Sequence, residues 1–453
     1  MVVIVKKSIY KDKGYWHFDG HKRINEVKTY VENEEYVKKH SFYPFLHYTM
    51  SFDKFNIKRE KGKRRKPKER EIYYCAHLDR YIYQKYGAEI SNLYNDYCIK
   101  NDFNECSVAY RNNNPGKCNI HFAKEVFRFI KKCQECFIIV GDFHKFFDTL
   151  DHSYLYKMLL KCMGTEKLSD IQYKIYKNIT HFSYINIEDL CVFMGIEQKD
   201  ITKLKEKLST KKFHQLKDQY LHKNYDNENK CWKDFGIPQG SPISAIYANV
   251  YMIEFDKQLK EFTKLYNGIY RRYSDDFIIV IPKANQTDKQ IKIAEDLFNI
   301  VDKTPNLKLE RTKTSCYFYK DKSLTCIENL LPGQQNESKT LNYLGFTFDG
   351  AGIRLRDKTI TKYYYKLYRS IDSHLRLETR KNKKIDRHKL IKKKSKYGSS
   401  GDRKNRNFIS YVNKSIKIFP SEEKIKMVKR RNLSCLYVTK SSYSHHYCFQ
   451  MFI

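Results

Sequence analysis

Three aspartates in two places carry the first chemical signal. The apolar run Phe137-Ile138-Ile139-Val140 continues through Gly141 and stops at Asp142. Far downstream, Asp275 and Asp276 stand between two strand-like runs, Ile269–Tyr273 and Phe277–Ile281. An acid pair between two β-rich runs reads as the tip of a hairpin. If that hairpin lies beside the run ending at Asp142, three carboxylates meet at one edge of a buried sheet. Such a cluster stays ionised only with cations, and hard divalent ions with oxygen ligands, Mg²⁺ foremost, suit it. Two such ions, roughly 4 Å apart, stabilise the attacking and leaving oxygens of a phosphoryl displacement. Each piece alone also fits a solvated turn, so the chemistry lies in the conjunction.

Those acids need elements to hold them. Helical spacing is predicted over His121–Lys132, Ser153–Met163, Asp200–Leu208, Ser244–Phe262, Asp288–Val301 and Lys362–Leu377. Strands are predicted at Phe137–Asp142, Ile269–Tyr273, Phe277–Ile281 and Tyr343–Phe348. The class is α+β, with much helix around a small sheet. No repeat or Gly/Ser-rich linker divides the chain, and Ser395–Arg406 is the best loop candidate. Hydrophobic residues at 41% and aromatics at 15% exclude a wholly disordered chain. The longest apolar runs fall far short of the roughly 18–20 residues that span a bilayer. Lys6-Lys7 ends the apolar Met1–Val5 too early for a signal peptide. No membrane partner is expected, and the expected location is intracellular.

The 453 residues carry 87 Lys+Arg against 52 Asp+Glu, a formal net charge of +35. That excess asks for a polyanion, nucleic acid first. Part of the Lys content also fits an A+T-rich genome, so the distribution decides more. Lys54–Arg70 holds ten Lys/Arg against two Glu, and Arg354–Lys404 holds nineteen against five acids. Tyr363, Tyr364, Tyr365 and Tyr368 interleave the second block, as rings on which bases stack. The 13 Cys suit a reducing compartment. A zinc site joining Cys133 and Cys136 to His445, His446 and Cys448 is the weaker reading.

Five motifs in order then resemble reverse transcriptases. Tyr273-Ser274-Asp275-Asp276 resembles their Tyr-x-Asp-Asp box, and Asp142 followed by Phe147 resembles their first metal motif. Gly236-Ile237-Pro238-Gln239-Gly240-Ser241-Pro242-Ile243-Ser244 is similar to the Gly-x-Pro-Gln-Gly-Ser-x-x-Ser segment of the bacterial, intron and retron branch. Leu309–Thr314 resembles the Lys-bearing motif after the catalytic hairpin, and Asn342–Phe346 resembles the primer grip. The resemblance covers about residues 65–350.

It implies a right-hand polymerase with fingers, palm and helical thumb, divided as 1–135 (N-terminal region and fingers), 136–350 (palm) and 351–453 (basic thumb and tail). The long span from Asp142 to Gln239 implies a mostly helical, polar insertion at about 164–232. By the resemblance, Asp142 and Asp275 would hold two Mg²⁺ ions, for which Mn²⁺ can substitute. Asp276 would be a third, looser carboxylate, and the Val140 or Phe143 carbonyl would assist. Lys313 would neutralise or protonate the departing pyrophosphate. Phe147 would be the steric gate against a 2′-hydroxyl, with a core phenylalanine as the alternative. Gln239 and Gly240 would lie beside the incoming nucleotide, and Arg70 and Arg111 would meet triphosphate and template. Tyr273, Leu344 and Gly345 would support the primer, and Lys66 and Lys68 the template.

Neither a Val-Thr-Gly thumb tripeptide nor an Asn-Ala-x-x-His stretch of the retron type occurs. The residues after Phe348 leave room for a thumb and short tail, and no maturase, RNase H or telomerase RNA-binding domain is expected. The combination is most similar to the "unknown group" and abortive-infection reverse transcriptases of prokaryotic antiphage defence. The expected partners are therefore a structured noncoding RNA template, a DNA primer or product and dNTPs, with a homo-oligomer or a partner defence protein possible, in a prokaryotic cytoplasm. A template-independent or protein-primed DNA polymerase, a retron- or intron-derived enzyme, and an RNA-binding scaffold with a relic palm remain as alternatives.

Overall fold

The computed structural model of the protein describes residues 9–55, 65–328, 330, 338–381 and 408–429; side chains within 52–68 and several within 367–381 lie outside the described set. The apolar run Phe137–Val140 forms the body of the strand Glu135–Asp142, the centre of a five-stranded antiparallel sheet. Asp276–Pro282 and Ser315–Lys320 flank it, and Ile269–Tyr273 and Ser323–Ile327 form the edges. Phe137 and Ile139 join one core, and Cys136 and Ile138 join another. Burial on both faces is why this strand reads as a continuous apolar run rather than an alternating one.

Helices cover both faces. His77–Lys100, His152–Met163, Ser244–Tyr251, Ile253–Leu265 and Thr287–Asp302 supply the first core. Asn119–Cys133, Phe408–Ile418 and a three-stranded sheet (Leu341–Tyr343, Phe346–Phe348, Ile353–Leu355) supply the second. Two expected elements are each split. The helix expected over Ser244–Phe262 breaks at Met252, which caps one helix and starts the next. The strand expected over Tyr343–Phe348 turns back on itself, because Leu344 (φ +46°) and Gly345 (φ +90°) leave the extended region. Asp200–Leu208 holds only the short 3₁₀ turn Gln198–Lys203, ended by extended Leu204.

The segment 164–232 is part of the N-terminal architecture rather than an appendage on the palm. Its strands Ser183–Asn186 and His222–Lys223 complete a four-stranded sheet begun by Glu71–Tyr74 and Phe45–Thr49. Its Ile185, Ile187, Leu190, Ile201 and Leu216 pack with Trp16, Phe18 and Leu46 in a third core. The polar surface of the segment concealed that core in the sequence. Residues 408–429, expected as thumb or tail, likewise dock on the palm. Val412, Phe419, Ile425 and Val428 enter the second core, and Glu422 pairs with Lys131 at 3.0 Å. Among the described residues no helix is long and apolar enough to cross a membrane.

Candidate active site

Strand register brings the acids together. Asp142 and Asp276 are direct cross-strand partners, and Ser274-Asp275 forms the two-residue turn that closes the hairpin between Tyr273 and Asp276. Opposed residues of an antiparallel pair carry Cβ atoms roughly 4.5–5.5 Å apart. Gly141, before Asp142, faces Phe277, and a Cβ there would lie 2.4 Å from the Phe277 ring. The close ring explains the glycine that interrupts the apolar run.

Asp276 is solvent-exposed at the start of its strand, beside the two other carboxylates. Its carboxyl is pushed up to about 7, first by desolvation and then by repulsion from Asp275 and Asp142, against the pull of Arg356 and Lys313. Lys313 forms an ion pair with Asp142. It arrives there because its segment runs alongside the aspartate: Glu310 donates its N–H to the Asp142 carbonyl at 2.8 Å, and Phe143 bridges to Leu309. His144 and Thr312 hydrogen-bond the Glu310 carboxylate at 2.9 and 2.7 Å and hold its pKa below the ordinary value.

As the side chains stand, no three His, Cys, Asp or Glu among the described residues converge on a metal position. The Lys313 ammonium occupies a cation's place at Asp142. The donor set nevertheless fits a hard divalent ion: three carboxylates on adjacent backbone positions, one of them raised by its neighbours, with a cation already beside another. Phe143, expected to lend its carbonyl, is buried next to Asp142.

Phe147, Gln239 and Gly240 also come together. The Ile237 N–H donates to the Phe147 carbonyl and the Tyr73 N–H to the Gln239 carbonyl, both at 2.9 Å. The Gly-Ile-Pro-Gln-Gly loop is thereby laced between the short helix Phe146–Thr149 and the strand Glu71–Tyr74. Gly240 has φ +124°, and a Cβ there would lie 2.4 Å from the Tyr73 carbonyl oxygen. Its close approach is to the protein's own strand Glu71–Tyr74. Phe147 is half-buried, edge-on to buried Phe146.

The residues expected to support the primer reach the same end of the sheet. Tyr273 is half-buried, and Tyr343 and Arg356 interact electrostatically with Asp276. The Leu344 carbonyl accepts from Asn119 Nδ2 at 2.9 Å, and the Gly345 carbonyl accepts the Arg356 N–H at 3.0 Å.

Other expectations change. Arg111 does not present its guanidinium to a triphosphate. Its nitrogens bond Asn95 Oδ1 (2.8 Å), the Asn104 carbonyl (2.5 Å) and Oδ1 (2.6 Å) and the Ser107 carbonyl (3.1 Å), and it stacks over Tyr94. It is a brace for the 104–111 loop. Tyr363 and Tyr364 are buried, Tyr363 stacking on Phe408 at 4.4 Å, so only Tyr365 of the described tyrosines there is exposed. Arg70 is exposed at the start of the strand that holds Gln239. Lys66 and Lys68 lie on the strand Arg65–Lys68, but their side chains are outside the described set, as are His445, His446 and Cys448 of the zinc reading. The described cysteines are free thiols. A cavity of about 320 Å³ lined by His40, Phe42, Lys174, Lys177, Asn178 and His181 shares no residue with the carboxylate cluster.

Two participants escaped the sequence. Arg356, just past the strand Ile353–Leu355, acts on Asp276 electrostatically, an effect of tertiary placement with no local signal. Arg272 is completely buried against Asp256. Its signal was strand alternation, since it shares a face with core residue Tyr270.

Residues 164–348 match the family described as reverse transcriptase (RNA-dependent DNA polymerase). This segment, under half of the chain, is a reverse transcriptase domain; it includes Gln239, Asp275, Asp276 and Lys313 and begins beyond Asp142. With it, the α+β architecture is a right-hand polymerase fold of fingers, palm and helical thumb. No curated protein matches the chain. Among solved structures, apo telomerase from Candida tropicalis truncated from its C-terminal domain is 12% identical, with a TM-score of 0.40, covering 73% of this chain and 59% of that one. Telomerase from Candida albicans in complex with the TWJ fragment of telomeric RNA is 12% identical with a TM-score of 0.37, covering 90% and 69%. Apo telomerase from Candida tropicalis gives 12% and 0.37, covering 75% and 56%. The chain thus spans under two thirds of both Candida tropicalis chains.

Proposed function

We propose that the chain, through this reverse transcriptase domain, is an RNA-directed DNA polymerase. The observation that carries the reading is the register that sets Asp142 opposite Asp276, beside the turn holding Asp275. Asp142 and Asp275, assisted by the Phe143 carbonyl, would hold two Mg²⁺ ions, with Mn²⁺ as a substitute. When bound, such ions supply Lewis-acid activation of a primer hydroxyl and charge stabilisation on the leaving phosphate. Asp276 would set the charge of the cluster, and its raised carboxyl has to lose a proton for that charge to be complete at neutral pH.

The remaining roles are those the sequence resemblance implies, with placement in their support. Lys313, held at Asp142, is near enough to the reacting centre to neutralise or protonate departing pyrophosphate. Phe147 and Gln239, tied through one loop, form a wall and floor for the deoxynucleotide. The Phe147 ring excludes a 2′-hydroxyl. Tyr273 and the Leu344-Gly345 turn support the primer end. Arg70 and the basic strand with Lys66 and Lys68 line the template side. A structured noncoding RNA as template, a role in antiphage defence and a partner defence protein or second copy are supported by the sequence resemblance and the +35 charge.

The test is extension of a DNA primer on RNA by purified protein with dNTPs and Mg²⁺. Asp275→Ala with Asp276→Ala is expected to reduce synthesis on the order of 10³-fold or more while RNA is retained. Equal product from the double variant would sink the assignment. Sequencing copurified RNA and DNA product identifies the template, and product unrelated to bound RNA would favour untemplated synthesis.

A further inference from the structure

The tip of the catalytic hairpin has an uncommon conformation and an uncommon support. Ser274 lies at φ +64°, in the left-handed region. Hairpins with two-residue turns place glycine or asparagine at such positions, because a Cβ crowds the backbone there. Serine therefore needs the surrounding structure to hold it in place. Its carbonyl accepts a 3.0 Å hydrogen bond from Nη1 of Arg272, two residues earlier on the strand that leads into the turn.

That arginine is immobilised on every side. Nε and Nη2 form a bidentate pair with Asp256, at 2.8 and 2.6 Å, and both side chains are fully buried. Nη1 also reaches Asn249 Oδ1 at 3.2 Å. Tyr270 donates to Asp256 Oδ1 at 2.7 Å, and Ser107 donates to Asn249 Oδ1 at 3.1 Å. The Arg272 main chain is clamped as well: its N–H donates to the Cys106 carbonyl at 2.7 Å, and its carbonyl accepts from Val108 at 2.9 Å. One guanidinium thus joins two helices and the hairpin tip, with its fork directed by Asp256.

We infer that Arg272 is a positioning residue for nucleotide transfer: by holding the Ser274 carbonyl it fixes the Ser274–Asp275 peptide plane, and so aims the Asp275 carboxylate. The inference rests on the polymerase reading above. A lysine cannot replace the arginine, because a single ammonium lacks the planar fork that spans a carboxylate and a carbonyl at once.

The experiment compares wild type, Arg272→Lys, Ser274→Gly and the double variant in single-nucleotide extension, measuring kcat, the dNTP KM and the Mg²⁺ concentration for half-maximal rate. Arg272→Lys is expected to lower kcat about tenfold, as a slightly misplaced group does, and to raise the Mg²⁺ requirement with little change in KM. Glycine accepts positive φ unaided, so the double variant is expected to regain most of the activity of Ser274→Gly alone. A merely structural arginine would give no such recovery. Arg272→Lys within twofold of wild type, or a double variant no better than Arg272→Lys, would overturn the inference. If Arg272→Lys does not fold, the neutral pair Arg272→Gln with Asp256→Asn takes its place, with the same loss and the same recovery by Ser274→Gly expected. Inactive wild type would count against the polymerase reading, whereas active wild type with an indifferent Arg272 counts against this inference only.

Discussion

Two ion pairs stand on opposite sides of the same hairpin, one sealed and one open. Arg272 and Asp256 are both 0% exposed, whereas Lys313 is 45% and Asp142 15% exposed. The sealed pair uses bidentate geometry, and its atoms are further bonded by Asn249 from a helix and Tyr270 from the strand. The open pair joins one ammonium to one carboxylate at the solvent-facing end of the sheet. Burial makes the first pair difficult to break, because either partner left alone is an uncompensated charge in the core. Solvent makes the second exchangeable, since water and ions can replace either partner. The palm thus keeps its fixed electrostatics behind the hairpin and its replaceable electrostatics in front.

The largest effect that follows is on folding. Asp256→Ala strands the Arg272 charge and is expected to destabilise the protein by about 3–5 kcal/mol, read from denaturant unfolding. A loss under about 1 kcal/mol would mean that the two pairs do not differ in kind. Lys313→Ala is expected to change stability by no more than about 1 kcal/mol but to slow nucleotide addition about 10²-fold, the usual contribution of a positioned proton donor. Destabilisation comparable with that of Asp256→Ala would make the open pair structural.

The smallest effect is on pH dependence. The folded-state carboxyl of Asp276 is raised to about 7, against an ordinary value of roughly 3.9 when unfolded. In that window the folded form binds the proton more tightly, so this group's contribution to stability falls as pH rises from about 4 through about 7. Without metal, Asp276→Asn should therefore gain on wild type as pH increases across that range. Added Mg²⁺ should shrink the difference above pH 7. A variant that instead loses ground would mean that the carboxylate is not repelled by its neighbours. The access of water to Asp276 keeps this effect modest.

Much of the palm was legible because its signals are local and strong. A strand buried on both faces must be continuously apolar, so Phe137–Asp142 and Phe277–Ile281 announced themselves, and the acids at their ends stood out against them. The N-terminal region was less legible. The parallel pairing of Phe45–Thr49 with Ser183–Asn186 joins strands more than a hundred positions apart, and no local pattern marks such a partner. Arg111 misled for a related reason: an arginine in a plausible motif looks alike whether its fork meets phosphate or, as here, Asn95 and Asn104.

The sequence by itself determined the chemistry available: three carboxylates, a lysine, a phenylalanine and a glycine-rich loop, in an order that resembles a polymerase palm. It also determined three strands of the central sheet, Phe137–Asp142, Ile269–Tyr273 and Phe277–Ile281, since side-chain burial repeats over a few residues. Only the tertiary structure decided which charges face which. Arg272 took Asp256 rather than solvent, Lys313 took Asp142, Gly240 met Tyr73, and Arg356 acted on Asp276. Those outcomes depend on register and burial across distant segments. The energy of a charge is set by its dielectric surroundings and nearest opposite charge, and neither is a property of the residue's place in the chain.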